Sequence, residues 1–255
     1  MSVQFSPLDG FTAPIAGWYW KHSLGDEWAS VDQAGPVQDQ FERFDSDTGW
    51  SAPEIKLAIA STPEPVRIQL LRRDQDRMIQ VQRTRFMYNW RRQGDSYPSY
   101  QTLRPEFDAH YAEFVRFIDH AALGSLEPNQ WEMTYVNHVE KGQLWQTPTD
   151  WERILPGFYT PCPAMLEYRF ESFGGEWHLA IEPDRGRLHV AIQHARIESA
   201  KGPEVLMLQL TARGPIDTNQ GWDLDSGFNV GHEAIVRAFA AMTSKAAHDH
   251  WGRRI

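Results

Sequence analysis

Cysteine is nearly missing from this chain: among 255 residues there is one, Cys162, set between Pro161 and Pro163. A single cysteine excludes an internal disulfide and a cysteine-cluster metal site, and its scarcity suits a reducing compartment. With no histidine or other base evidently paired to it, Cys162 reads as a structural loop residue. Long apolar runs are missing too, since none approaches the ~20 residues needed to cross a bilayer. The opening residues MSVQFSPLDG lack a basic start followed by an apolar block, so no secretory signal is expected. The expectation is a soluble, cytoplasmic protein with no membrane partner. No glycine pattern resembles a phosphate loop or a dinucleotide fingerprint. The run 172–175 (SFGG) reads as a hairpin turn, not the strand-to-helix elbow that presents a nucleophilic serine. Neither a cofactor nor a metal is expected.

What is present is a globular composition with 41% hydrophobic residues and eleven tryptophans. The net charge of −9 argues against a general nucleic-acid binder, whose footprint is normally basic. One stretch, 84–137, organises the chain as an aromatic strand, a Tyr-Pro entry, a long amphipathic helix and a second strand. In the helix, Tyr100, Leu103, Phe107, Tyr111, Phe114, Ile118 and Ala121 recur at steps of three and four and so share one face. Pro98 is expected in its first turn and Gly124 at its left-handed end, with a late true start or a mild bend at Pro105.

From residue 54 the period falls to two. Strands are expected at 54–60, 66–72, 77–82 and 84–91, after an extended 11–22 and a broken helix within 28–44. The second half repeats this plan with a strand at 130–139, a short helix or turn from Pro148 to Leu155, and strands at 164–173, 176–183, 186–198 and 204–212. Two-residue turns at Gly174 with Gly175, and at Asp184 with Arg185, set apolar opposite apolar: Leu179 faces Val190 and Ile181 faces Leu188. A last helix is expected over 229–250, capped by Asp225 or Ser226. The fold class is therefore α+β, in two pseudo-repeated halves, 1–124 and 125–255. Each half runs strand, short helix, four-stranded antiparallel meander, long helix, the element order of tandem TATA-binding-like folds.

Arg85-Phe86, then Asn89-Trp90-Arg91, Tyr97-Pro98-Ser99-Tyr100, Phe107 and Tyr135-Val136-Asn137, with His232 and Phe239 on a final helix, carry a resemblance. In these residues the chain resembles a sporadically distributed bacterial family of proteins of about 250 residues. Gly17 departs from it, standing where such proteins carry an acidic residue. The resemblance implies bacterial origin and the fold plan, and it brings no activity and no catalytic residues.

Charge marks the main candidate surface. Residues 66–104 hold nine Arg, three Asp and no Lys, a local charge of +6 in a chain of −9. Arg67, Arg85 and Arg91 are expected to alternate away from the apolar face, beside Gln69, Gln80, Gln82 and Asn89, with Arg92 adjoining. Guanidinium forks match carboxylate and phosphate oxygens, so the expected partner is an acidic protein or a second copy, nucleic acid being less favoured. Weaker candidates are Tyr135, Asn137 and His232, and a polar face bearing Glu171, His178 and His189. There the turn at Gly174 and Gly175 sets Glu171 opposite His178, with His189 diagonal to it. Two function classes follow: a non-enzymatic binding or assembly protein using a sheet face or inter-lobe groove, and an enzyme with a site around His232, Asn137 and Tyr135.

Overall fold

A computed structural model describes residues 1–44, 67–94, 98–157, 171–181, 185–197 and 202–252. The strand expected at 54–60, most of that at 164–173, and Cys162 lie outside the described residues. The chain is α+β. Strand β1 (Ser2–Phe5) is followed by helix α1 (Ala13–Ser23), then by β2 (Trp28–Ala34), β3 (Arg67–Arg72), β4 (Arg77–Gln82), β5 (Arg85–Trp90) and helix α2 (Tyr100–His120). Strand β6 (Pro128–Glu140) leads through a 3-10 turn (Pro148–Arg153) to β7 (Gly174–Ile181), β8 (Gly186–Arg196) and β9 (Glu204–Pro215). Helices α3 (Leu224–Met242) and α4 (Lys245–His250) end the described chain. The strands form one antiparallel sheet in the order β2-β3-β4-β5-β1-β6-β9-β8-β7.

The chain divides into two compact units, residues 1–132 with 214–228, and residues 133–213 with 229–255. Strand β6 and helix α3 each begin in the first and end in the second. In the first, Val3, Phe5, Ile79, Val81 and Phe86 are buried on one sheet face. Helix α2 lays an aromatic stripe on that face: Phe86 meets Phe107, Tyr111 and Phe114 at 5.1–6.0 Å between ring centres. Tyr19 of α1 packs on Phe114 and Phe117. Ser99 caps α2 by accepting from the Thr102 N–H at 3.2 Å. In the second unit, Leu188, Val190, Ile192, Leu208 and Leu210 form the buried sheet face.

Several expectations are corrected. Residues 11–22 are mostly helix, because a proline in the first turn starts a helix as readily as a strand. Residues 28–34 are a strand, held by pairing with β3 although five of its seven side chains are exposed. Pro98 precedes the cap of α2. At its other end Ala122 (φ 51°) takes the left-handed position immediately after the cap, and Gly124 (φ 93°) a second one. The cap of α3 is Asp223, which accepts from Ser226 N at 2.7 Å, and Thr243 and Ser244 break the last helix in two. Gly174 and Gly175 are strand residues, not a turn. The β7–β8 register places Leu179 opposite Leu188 and Trp177 opposite Val190, two residues away from expectation. A slip of two leaves every side chain on its own face, so alternation cannot detect it.

Candidate binding face

The other face of the first unit's sheet is polar yet largely buried. Gln82 stands opposite Arg85, Arg85 opposite Gln4, and Gln4 opposite Gln130. Because Ile68 pairs with Val81, Arg67 falls beside Gln82 at the start of the same row. Strand alternation alone carries these side chains to one side. A second row lies beside it: Gln69 donates to Gln80 Oε1 at 2.9 Å, and Gln80 donates to Asn89 Oδ1 at 2.7 Å. Gln4, Gln80, Gln82, Arg85 and Gln130 are each at most 5% exposed.

The chain itself covers the first row. After β2 ends, residues 37–42 cross β4, β5, β1 and β6 in turn. The Gln82 amide pairs with Val37 at both ends, accepting from its N–H at 2.9 Å and donating to its carbonyl at 2.8 Å. Arg85 Nη2 donates to the Gln38 carbonyl at 3.4 Å. The N–H groups of Gln40 and Glu42 donate to Gln4 Oε1 and Gln130 Oε1 at 3.0 and 3.2 Å. These five bonds all reach the main chain of the segment. One further bond, from Thr84 Oγ1 to Asp39 Oδ1 at 2.7 Å, reaches a side chain. The dimensions agree with a crossing: five residue steps of ~3.3 Å span ~16 Å, and three strand spacings of ~4.8 Å span ~14 Å.

Two energetic consequences follow. A buried amide without a partner costs about 1–3 kcal/mol, so the glutamines need an occupant when water is excluded. Each bond made contributes only about 0.5–1.5 kcal/mol net, because water competes for the same groups. The segment adds little apolar burial, with Phe41 55% exposed. The five main-chain bonds hold it through polar groups.

Arg85 makes further bonds within the row, to Gln4 Oε1 at 2.6 Å and to Glu132 Oε1 at 3.3 Å. It is 1% exposed, which corrects the expectation of an open guanidinium there. Arg67 and Asn89 are half-buried, and Arg91 and Arg92 are exposed. The Nε atoms of Arg67 and Arg85 are buried without a hydrogen-bond partner among the described residues. Gln4 and Gln130 escaped sequence reasoning because they lie far apart in the chain, and only the pairing through β1 brings them into line with Arg85.

The weaker candidates fall in the second unit. Tyr135 and His232 meet, with the phenol oxygen 2.9 Å from Nδ1. Burial lowers the His232 pKa from its ordinary value. Asn137 turns instead to the Leu208 carbonyl at 3.4 Å. His178 stands directly opposite His189, not diagonal to it, and their Nδ1 atoms are 2.7 Å apart, so one ring donates and the other accepts. Glu171 is exposed and precedes β7, so the turn that set it against His178 is not formed. No group of three or more metal-ligating side chains occurs among the described residues. A pocket of about 180 Å³ is lined by Asp74, Asp76, Arg77 and Trp90, and its charges are matched internally, Asp76 bonding both Arg72 and Arg77. No family model, curated protein or solved structure matches this chain.

Proposed function

We propose that this is a non-enzymatic binding or assembly protein whose partner, an acidic protein or a second copy, is held on the polar face of the first unit's sheet. The single observation that carries this reading is the row of Gln82, Arg85, Gln4 and Gln130, with a polypeptide already hydrogen-bonded along it. Arg67 supplies half-exposed positive charge at the start of the row, and Arg91 and Arg92 add exposed charge past the other end of β5. Nucleic acid remains the less favoured partner, given the overall negative charge. The bacterial family resemblance and a cytoplasmic setting belong to the same proposal.

An internal duplication at 124/125 is part of it. Reading outward from β1 gives β5-β4-β3-β2, and outward from β6 gives β9-β8-β7, an order that supports two β-α-β4-α copies in a TATA-binding-like tandem. The enzyme alternative is favoured by one observation, the Tyr135–His232 bond.

The test is co-purification from the native host with mass spectrometry of proteins, nucleic acids and small ligands. Wild type is compared with R67E/R91E/R92E, which spares the buried Arg85. A protein partner, or the chain itself, is expected, recovered at low salt and depleted both by high salt and by the triple change. Recovery of a small molecule that the chain transforms, with Y135F abolishing the turnover, would replace this reading by the enzyme one.

A further inference from the structure

The hydrogen bonds over the glutamine row address a main chain, not a sequence. Val37 is held through its N–H and carbonyl, Gln38 through its carbonyl, and Gln40 and Glu42 through their N–H groups. Contacts at 38, 40 and 42 have the two-residue period of an extended chain, and Val37, with both its polar groups on Gln82, departs from it at the start of the segment. Each glutamine offers an acceptor and a donor from one amide, and the doubly bonded Gln82–Val37 pair reproduces what two paired strands exchange. The arrangement differs from strand addition at a sheet edge, because the occupant crosses the strands and is met by side chains.

We infer that this row is a reader of extended polypeptide main chain, and that residues 37–42 occupy it as an internal stand-in for an acidic, extended segment of a partner protein. The inference rests on the binding reading above and specifies its ligand. Three observations point to exchange. The cover is held by polar bonds that another backbone can reproduce, and its largest apolar side chain, Phe41, is left mostly in solvent. Acidity is indicated by the occupant itself, in which Asp39 takes the Thr84 hydroxyl. It is indicated again by two buried guanidinium Nε donors in the row, on Arg67 and Arg85, that the cover leaves without an acceptor among the described residues. A carboxylate or carbonyl of a better-fitting chain would meet them.

The experiment uses the full chain with Gln40 and Glu42 changed to proline (Q40P/E42P), which removes two cover N–H groups at constant length, and a labelled peptide of residues 36–43 (PVQDQFER) as probe. The opened chain should bind the peptide at least 10-fold more tightly than wild type. N-methylation of the peptide at the Gln40 and Glu42 nitrogens should cost at least 10-fold, whereas a Q38A peptide should stay within about 3-fold. The changes Q4A and Q130A in the opened chain should abolish binding. Should the double variant fail to fold, Q40P alone serves instead, since it removes one cover N–H. It should bind several-fold more tightly than wild type. Equal affinity for the methylated peptide, or no gain in either variant, overturns the inference. Peptide binding without any protein captured from the host overturns the functional reading and leaves the main-chain reader standing.

Discussion

Arg77 ties three elements together with one side chain. Its guanidinium, 8% exposed, holds Glu106 of α2 through two bonds of 2.6 and 3.0 Å, and Tyr88 of β5 donates to the same carboxylate at 2.6 Å. Arg77 first, then Tyr88, draw the Glu106 pKa below its ordinary value, while burial pushes the Tyr88 phenol up. A depressed carboxylate contributes stability that is present above the unfolded value and is lost as pH falls through the folded one. E106Q should therefore cost about 1–3 kcal/mol at neutral pH, Glu106 being partly exposed, and should flatten the acid limb of a stability–pH profile from urea unfolding. His232 works in the opposite range. Because burial disfavours its charged form, stability is whole above its ordinary pKa and declines as pH falls below it. Melting temperatures of wild type and H232Q between pH 7.5 and 5.5 should show the smaller fall in H232Q. Such pairs were half legible: the sequence grouped Tyr135, Asn137 and His232 in one candidate site, and Tyr135 and His232 meet while Asn137 turns to the Leu208 carbonyl, a detail of helix–strand docking that is not written in either segment.

At the scale of elements, helix α2 and strand β6 each bury large aromatic side chains, Phe107, Phe114 and Phe117 on the one and Trp131 on the other. Phe114 touches Phe5, Phe11, Tyr19 and Phe86, so F114A should cost about 3–5 kcal/mol in denaturant unfolding. Gly227, on the first turn of α3, sits so close to Trp131 that a Cβ there would overlap the indole. G227A should cost about 1–3 kcal/mol or more by overpacking, against a small gain in helix propensity, and calorimetry on the purified variant checks it. The α2 stripe and the alternation of β3 to β5 were plain in the sequence, since apolar period reports burial directly. Strand β2 was not, because five of its seven side chains are exposed and its strand character comes from backbone pairing with β3. The β7–β8 register was missed by two residues because both alignments bury the same set.

On the scale of the whole molecule, the polar face explains how nine arginines gather in 39 residues of an acidic protein without all being free. Arg85 is spent on the row, Arg77 on Glu106, and Arg72 on Asp74 and Asp76. The sequence marked this face by its arginines and by Gln69, Gln80 and Gln82. It did not mark the occupant, because a backbone that bonds to side chains leaves no residue signature. Central to the account is that residues 37–42 form an exchangeable cover held by its main chain. Local openings of this kind exchange amides far below the global unfolding free energy. The direct measurement is amide hydrogen exchange of wild type, alone and with excess peptide of residues 36–43. The Val37, Gln40 and Glu42 amides should exchange at least 100-fold faster than those of Ile79 and Phe86, and faster again with the peptide present. Protection of those three amides equal to that of Ile79 and Phe86, unchanged by the peptide, would contradict it.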